Sequence, residues 1–527
     1  MLTPSPGAAS MRSMRYRITT LGCRVNHAET RELESVLLAR GFVGAAEGAH
    51  ADLEVIHSCS VTGSAAAKSR QAIRRAARRA HSYELCRHKE TGLSLNRNGR
   101  ESLHVDQARQ RRYPPIAATF SKSPQIIVTG CYGSTDPDEA ALLAGGRDHV
   151  IQHESDDGTT LAERFALRVD QWLTTQQAPG SLRIPAPDSC RETIRPLPVV
   201  TPRPAAGSHV RAELKIQDGC DAHCTFCIIP RIRRTLRSKT IPDAVAEATR
   251  LVEFGHREIV LTGIFIGGYG HETALRRKQS RAGTTPLADL LDAVAQVPGL
   301  SRLRVSSMEP GDVSEPLLDA MIANEQVVVP HLHLPLQSGS DAVLRSMNRQ
   351  YRVGNYQEMI DRINAALTTP DGLPPAITTD IICGFPGETV DDFERTVEVA
   401  LRVGYLHMHV FPYSARRGTA AARWRDRFVP APVIRSRVGR LIDLENDPDD
   451  GLSIRYRRRL LGRTVRVIIE QPARPGVMTG RCDHYALLSI ETDRLRGAVL
   501  TAEVTAVTPN ETTACPSDIS IPLPVLV

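Results

Sequence analysis

Between about His209 and Asn446 one unit recurs six times: a short apolar segment ending in a polar or glycine-bearing turn, then a helical or polar stretch. The strand ends read AELKIQDGC, EIVLTGIF, RLRVSSMEP, HLHLPLQSGS, AITTDIICGFPGE and LHMHVFPYS. Strands alternating with helices form parallel sheets, because a parallel neighbour needs a long crossover. Six such units over 209–446 predict a partial (β/α)6 barrel with its functional groups at the C-terminal strand ends. Each unusual polar cluster of this region lies at such an end.

The flanking regions read differently. Residues 15–180 carry three short apolar segments, YRITTLGC, DLEVIHSC and QIIVTGC, separated by helical stretches such as ETRELESVLLARG and SAAAKSRQAIRRAARRA. They predict an α/β domain with a flavodoxin-like parallel sheet. A polar segment at about 81–124 lacks apolar periodicity and reads as an insertion. Residues 181–208 are a Pro-rich linker, and residues 1–14 a disordered leader with Met14 as a candidate start. In the tail, 459–527, the segments RTVRVIIEQP, YALLSIET and GAVLTAEVTAV alternate as strands do. They predict a small β-barrel of a kind that often holds nucleic acid.

A chain of 527 residues exceeds one ordinary core and predicts two to four domains. A net charge of +7 is mild support for a polyanionic partner. No apolar run approaches the roughly 20 residues that span a bilayer, and the N-terminus has no apolar signal region. The expected location is the cytoplasm, without a membrane partner. Eleven cysteines in a reducing compartment point to metal or catalysis rather than disulfides.

Cys220, Cys224 and Cys227, after the first barrel strand, stand at C-x3-C-x2-C spacing. Thiolates so spaced can converge from one loop on one metal centre. Iron–sulfur cubanes normally take four thiolates, so three leave an iron with an open position, as a substrate-binding metal needs. Two bland alternatives stand beside this: a structural zinc site, with His223 the nearest fourth ligand, and a redox pair of Cys224 and Cys227. Cys23, Cys59 and Cys131 are far apart in sequence, but each ends one N-terminal strand. Strand ends of an open parallel sheet meet at one crevice, so these thiols could hold a second cluster; the alternative is three ordinary buried cysteines.

The triplet behind the first strand of a six-strand partial barrel resembles the radical S-adenosylmethionine superfamily. TLGCRVNHAET, HSCSVTGSAAAKSRQAIRRA and VTGCYGSTDP resemble the N-terminal domain of its methylthiotransferases, and the tail resembles their TRAM domain. The resemblance implies two [4Fe-4S] clusters and S-adenosyl-L-methionine, whose amino and carboxylate groups chelate the open iron. Implied cofactor-lining positions are Thr262, Gly263, Glu309, Gln337, Ser338 and Gly384, with Gly387 and Glu388 in the same turn.

QSGSDAVLRSMNRQY and FPYSARRGTAA are similar to the tRNA-modifying members. GCRVNHAET and KSRQAIRR are similar to the branch acting on N6-threonylcarbamoyladenosine at tRNA position 37, beside the anticodon. The implied partners are the tRNA anticodon stem-loop, an electron donor and a sulfur donor, with the enzyme a monomer. Competing readings are the isopentenyladenosine branch, the branch modifying a ribosomal protein, and a zinc-containing RNA-binding protein. Cys86, Cys190, Cys383, Cys482 and Cys515 receive no ligand role. Three basic runs suit a phosphate backbone: Arg231, Arg233, Arg234 and Arg237; Arg416 and Arg417; and Lys68, Arg70, Arg74, Arg75, Arg78 and Arg79.

Overall fold

A computed structural model describes residues 13–90, 124–154, 159–176, 210–271 and 285–517. They belong to two compact units, divided after Leu182. The expected leader (apart from residues 13–14), the linker at 181–208 and most of the 81–124 segment lie outside the described residues.

The first unit holds a parallel sheet of β1 (Arg15–Thr20), β2 (Val43–Gly44), β3 (Leu53–Ser58) and β4 (Gln125–Gly130) in the order β2-β1-β3-β4. Alternate residues of β3 face opposite layers. Leu53 and Val55 pack with Leu33 and Leu37 of α1 (Arg24–Leu38), whereas Ile56 packs with Ala72, Ile73 and Ala76 of α2 (Gly63–Glu90). With both faces covered, β3 is buried along its whole length. Helix α2 runs past His81 to Glu90, so the start of the expected insertion is a continuation of this helix. The two-residue β2 is too short to leave a pattern in the sequence.

The second unit begins with β5 (Arg211–Asp218), β6 (Arg237–Ser238), β7 (Glu258–Gly263), β8 (Arg302–Val305), β9 (His331–His333), β10 (Ala376–Cys383) and β11 (His407–Pro412). Strands β5, β7 and β8 pair in parallel, as do β9, β10 and β11. The six expected strands are all present, but as two sheets. Between the sheets the ladder thins to contacts such as Met308 N–H to the His333 carbonyl, at 3.1 Å. One strand face packs on the surrounding helices through Ala212, Leu214, Ile216, Ile259, Leu261, Leu303, Ile377 and Ile381. The alternate residues point inward and are unusually polar: Arg211, Lys215, Gln217, Glu258, Thr262, Arg302, Arg304, His333, Thr378, Asp380 and His409.

The tail closes a barrel from β12 (Thr464–Arg474), β13 (Val477–Cys482), β14 (Leu487–Glu491), β15 (Val499–Val507) and β16 (Thr512–Pro516). Val467, Ile469, Leu488, Ile490 and Val504 fill it. Strands β13 and β16 carry Gly, Arg or Pro among few apolar residues, and their sequences alone did not reveal them.

This small barrel is bound to the N-terminal strand ends of the larger one. Arg302 donates to the carbonyls of Arg481 (2.9 Å) and Arg466 (3.1 Å), and Arg304 to those of Cys482 (3.0 Å) and Asp483 (3.1 Å). Both guanidiniums are fully buried and share Glu258, whose carboxyl the three surrounding arginines hold far below the usual range against its burial. Buried charges of this kind depend on every partner. Removing the tail would therefore strip partners from the core, and would not test the tail alone. Among the described residues, no helix is long and apolar enough to cross a membrane.

Candidate metal and cofactor sites

The loop after β5 carries the cysteine triplet and is held by the segment after β9. Thr225 N–H donates to the Met347 carbonyl (3.0 Å), Thr225 Oγ1 to the Ser346 carbonyl (2.8 Å), and Asn348 Nδ2 to the His223 carbonyl (2.9 Å). Arg349, which no motif in the sequence singles out, donates through Nη1 to Cys224 Sγ at 3.3 Å and pairs through Nη2 with Glu309 at 2.6 Å. It also lies over the Tyr351 ring, 5.0 Å from its centre.

Burial, with Cys224 adding to it, pushes the Cys220 and Cys227 thiols up to about 12; burial also raises Cys224, against the pull of Arg349. Cys224 acts on both Cys220 and Cys227, and Cys220 on Cys227, so the three thiols of this eight-residue loop lie near one another. Three desolvated sulfurs that repel one another as thiolates need a cationic centre, and an iron cluster supplies one. The donor set therefore fits a [4Fe-4S] group with one iron left open.

The expected cofactor positions lie at successive strand ends around this loop. Thr262 and Gly263 end β7. Gln217 on the neighbouring β5 accepts from Phe265 N–H at 2.7 Å, fixing the turn beyond them. Glu309 follows β8 and is held by Arg349. Gln337 follows β9 in the left-handed region, at φ 63°, its N–H bonded to the Asp380 carbonyl at 2.8 Å. Ser338 is fully buried, and its hydroxyl accepts from Ser340 N–H at 3.2 Å, so it shapes the turn. Gly384 follows β10 at φ +76°, where a Cβ would come within 2.3 Å of Ile434. A residue there must be glycine because a helix of this chain fills the space. Glu388 accepts from Gly384 N–H and pairs with buried Arg437.

In the first unit, the strand ends bring the second cysteine set to one sheet edge. Thr20 is level with His57, and Ser58 with Gly130, so Cys23, Cys59 and Cys131 follow three adjacent strands. Gly130, at φ +89°, is where β4 presses on β3: a Cβ would fall 2.2 Å from the Ser58 carbonyl oxygen. Buried Asn26 ties two of the loops, donating to the carbonyls of Leu21 (2.9 Å) and Ser58 (3.0 Å) and accepting from Cys23 Sγ at 3.5 Å. Buried Ser69 of α2 brackets Cys59, accepting from its N–H at 3.0 Å and donating to its carbonyl at 2.8 Å. Cys59 and Cys131 are buried and Cys23 is exposed. This edge, with one side open, could hold a second cluster.

The basic runs divide. Arg233 and Arg237 are buried, and Arg233 pairs with Asp218 at 2.8 Å, so neither is a surface phosphate contact. Arg79 pairs with buried Glu54 at 2.8 Å. Lys68, Arg74, Arg75 and Arg78 are exposed along α2, and Arg231, Arg234 and Arg417 in the second unit.

Six inward-polar parallel strands, with three converging thiols beyond the first, are the core of a radical S-adenosylmethionine enzyme. Residues 214–400 match the radical SAM superfamily, and residues 15–90 the family described as uncharacterized protein family UPF0004. The chain is 32% identical over 466 residues to the threonylcarbamoyladenosine tRNA methylthiotransferase MtaB of Bacillus subtilis (strain 168), covering 88% of each. It is 29% identical to the MtaB protein of Thermotoga maritima, covering 89% of each. It is 31% identical to the tRNA-2-methylthio-N(6)-dimethylallyladenosine synthase of Acidothermus cellulolyticus, covering 96% of this chain and 89% of that one. The chain belongs to the methylthiotransferase family of radical S-adenosylmethionine enzymes. Membership implies a [4Fe-4S] cluster and S-adenosylmethionine, and a second cluster is typical of methylthiotransferases. It displaces the zinc-containing RNA-binding protein.

Proposed function

We propose that this enzyme attaches a methylthio group to C2 of N6-threonylcarbamoyladenosine at position 37 of tRNA. In this reading Cys220, Cys224 and Cys227 hold the radical-generating cluster, and Cys23, Cys59 and Cys131 hold the cluster that handles sulfur. Bound with S-adenosylmethionine, the first group supplies a 5′-deoxyadenosyl radical, which suits a C2–H bond that neutral-pH acid–base chemistry cannot activate.

The chain's own residues orient and enclose. Arg349 ties Cys224 to Glu309, so the cluster loop and the β8 end move together. Thr262, Gly263 and Gln337 form the rim that meets the cofactor, Ser338 supports it from beneath, and Gly384 lets the helix that carries Ile434 close against the β10 end. The polar groups at the C-terminal strand ends receive the base and exclude bulk water. Exposed Arg231 reaches the turn of Arg417: a Cβ on Gly418 would stand 3.3 Å from its Nη1. A guanidinium there suits the carboxylate that the threonylcarbamoyl group carries, and an apolar dimethylallyl chain would leave such a site unpaired.

The observation that carries the choice of nucleoside is the alignment of two MtaB proteins over 88% and 89% of the chain. The dimethylallyladenosine synthases, at 30% and 31% identity, favour a second reading with the same chemistry. Mass spectrometry of nucleosides from tRNA of a strain lacking the gene separates the two. The 2-methylthio-threonylcarbamoyl nucleoside should vanish and its unthiolated form accumulate. Loss of the 2-methylthio-dimethylallyl species instead would move the substrate, and no change in either would remove tRNA. The sulfur and electron donors are separate partners in this scheme.

A further inference from the structure

Below the strand ends, the lumen of the partial barrel holds a second group of metal-binding side chains, which none of the steps above uses. His333 of β9, Asp380 of β10 and His409 of β11 stand on the inward faces of three adjacent parallel strands. Asp380 is directly opposite His409, and His333 opposite Thr378, one inward position along from Asp380. One ligand atom from each of the three lies within 4.8 Å of the other two.

The details suit ligation better than an ion pair. His333 Nε2 and Asp380 Oδ1 are 3.3 Å apart. A charge-assisted hydrogen bond would be near 2.8 Å, whereas two ligands of one tetrahedral ion with bonds of about 2.0 Å stand roughly 3.3 Å apart. The rings of His333 and His409 have centres 5.7 Å apart, close to the roughly 5 Å of two imidazoles sharing an ion.

Each ring is also held from behind. His333 Nδ1 meets Thr378 Oγ1 at 3.0 Å, and the same hydroxyl meets His331 Nε2 at 3.2 Å. The hydroxyl has one proton and can give it to only one ring. With that proton toward His331, it accepts from His333 Nδ1–H, and the Nε2 lone pair faces Asp380. His409 is braced edge-on by His407, with ring centres 4.4 Å apart, and His407 is anchored through Nδ1 to Glu445 at 2.5 Å. Glu445 in turn accepts from Met408 N–H at 2.6 Å. His407 is thereby committed elsewhere, and the candidate ligands are three.

We propose that His333, Asp380 and His409 form a site for one divalent transition-metal ion of the zinc class, with an open coordination position toward the barrel lumen. Two imidazoles and one carboxylate select such ions over magnesium or calcium, which prefer all-oxygen sets. Three protein ligands leave a place for water or an oxygen donor from a bound molecule, the pattern of a working site rather than a structural one.

Zinc binding tests this on the full-length protein with its clusters reconstituted. After chelation of loose metal and dialysis against micromolar free zinc, wild type should hold one zinc per chain beyond its iron. Zinc X-ray absorption should show only nitrogen and oxygen neighbours, at about 2.0 Å. His409→Ala and Asp380→Asn should each weaken zinc at least about 100-fold, and Thr378→Val about 10-fold by releasing the His333 ring. Unchanged iron and sulfide content in these variants shows that the fold and clusters persist. Should a variant lose its iron, His409→Gln, at the exposed ring, serves in its place. No zinc retained by wild type, sulfur in its first shell, or equal zinc in wild type and the His409 and Asp380 variants would each overturn the proposal.

Discussion

The two cysteine sets of this chain each present three thiols, by opposite means. Cys220, Cys224 and Cys227 sit in one loop, and a single guanidinium, Arg349, reaches in to Cys224. Cys23, Cys59 and Cys131 follow three separate strands and reach one sheet edge because the strand ends are level. The first arrangement is local: eight residues carry it, and the rest of the barrel adjusts it. The second is built by the sheet and depends on the buried donors that hold each turn, Asn26 and Ser69. A contiguous loop should therefore tolerate strain in its surroundings better than a set distributed over a sheet edge.

The largest effect should come from deleting either set. Reconstituted wild type should carry about eight irons, as two cubanes require. Changing Cys220, Cys224 and Cys227 together to Ala should leave about half and abolish 5′-deoxyadenosine formation with dithionite and S-adenosylmethionine. Changing Cys23, Cys59 and Cys131 should also leave about half but spare that product. If the second triple variant lost the product too, the division of labour between the sets would fail.

Next is Arg349→Gln. It removes a charged hydrogen bond worth about 1.5–3 kcal/mol, so deoxyadenosine formation should fall about 10- to 100-fold with iron content retained. An unchanged rate would reduce Arg349 to a packing residue. On the other side of the comparison, Asn26→Ala leaves the buried Ser58 carbonyl and the half-buried Leu21 carbonyl short of a donor, at a cost of about 1–3 kcal/mol. Iron should then be lost selectively from the N-terminal set, with deoxyadenosine formation unchanged. Loss from the barrel set instead would reverse the comparison.

The smallest effect concerns acid, in the unit that holds the local set. His484, buried in the small barrel and bonded to the Tyr456 hydroxyl at 2.9 Å, is pushed down to about 4, chiefly by burial. Its unfolded value is near 6.5, so below that pH the unfolded chain binds the extra proton and stability falls with pH until about 4. Between pH 7 and pH 5 wild type should lose about 2 kcal/mol more than His484→Gln, read by chemical unfolding of the second unit. Parallel pH profiles would mean that the folded ring accepts its proton freely.

Local chemistry was legible in the residues. The six strand ends, the triplet spacing and the alternation in the tail each depend on neighbours in sequence, and each names its element: a strand period, a metal loop, a barrel strand. The placement of Cys23, Cys59 and Cys131 just beyond strand ends was legible too, because each closes a short apolar run at a turn, whereas the pairing that levels those ends is set by the sheet.

What the sequence could not decide depends on register and on long-range burial. Arg349 looks like any arginine in a polar run until the β9 segment folds under the cluster loop and desolvates it. Arg233 and Arg237 read as a basic surface until the turn buries them, one against Asp218. Gly384 reads as space for a ligand until Ile434 fills it. The joining of the two barrels through Arg302, Arg304 and Glu258 has no motif, since its acceptors are backbone carbonyls that any residue carries. His333, Asp380 and His409, separated by dozens of residues, share a face only because parallel registry sets their strands side by side. Side-chain identity is written in the chain, but a partner across a strand or under a loop is selected by packing, and only the folded structure contains it.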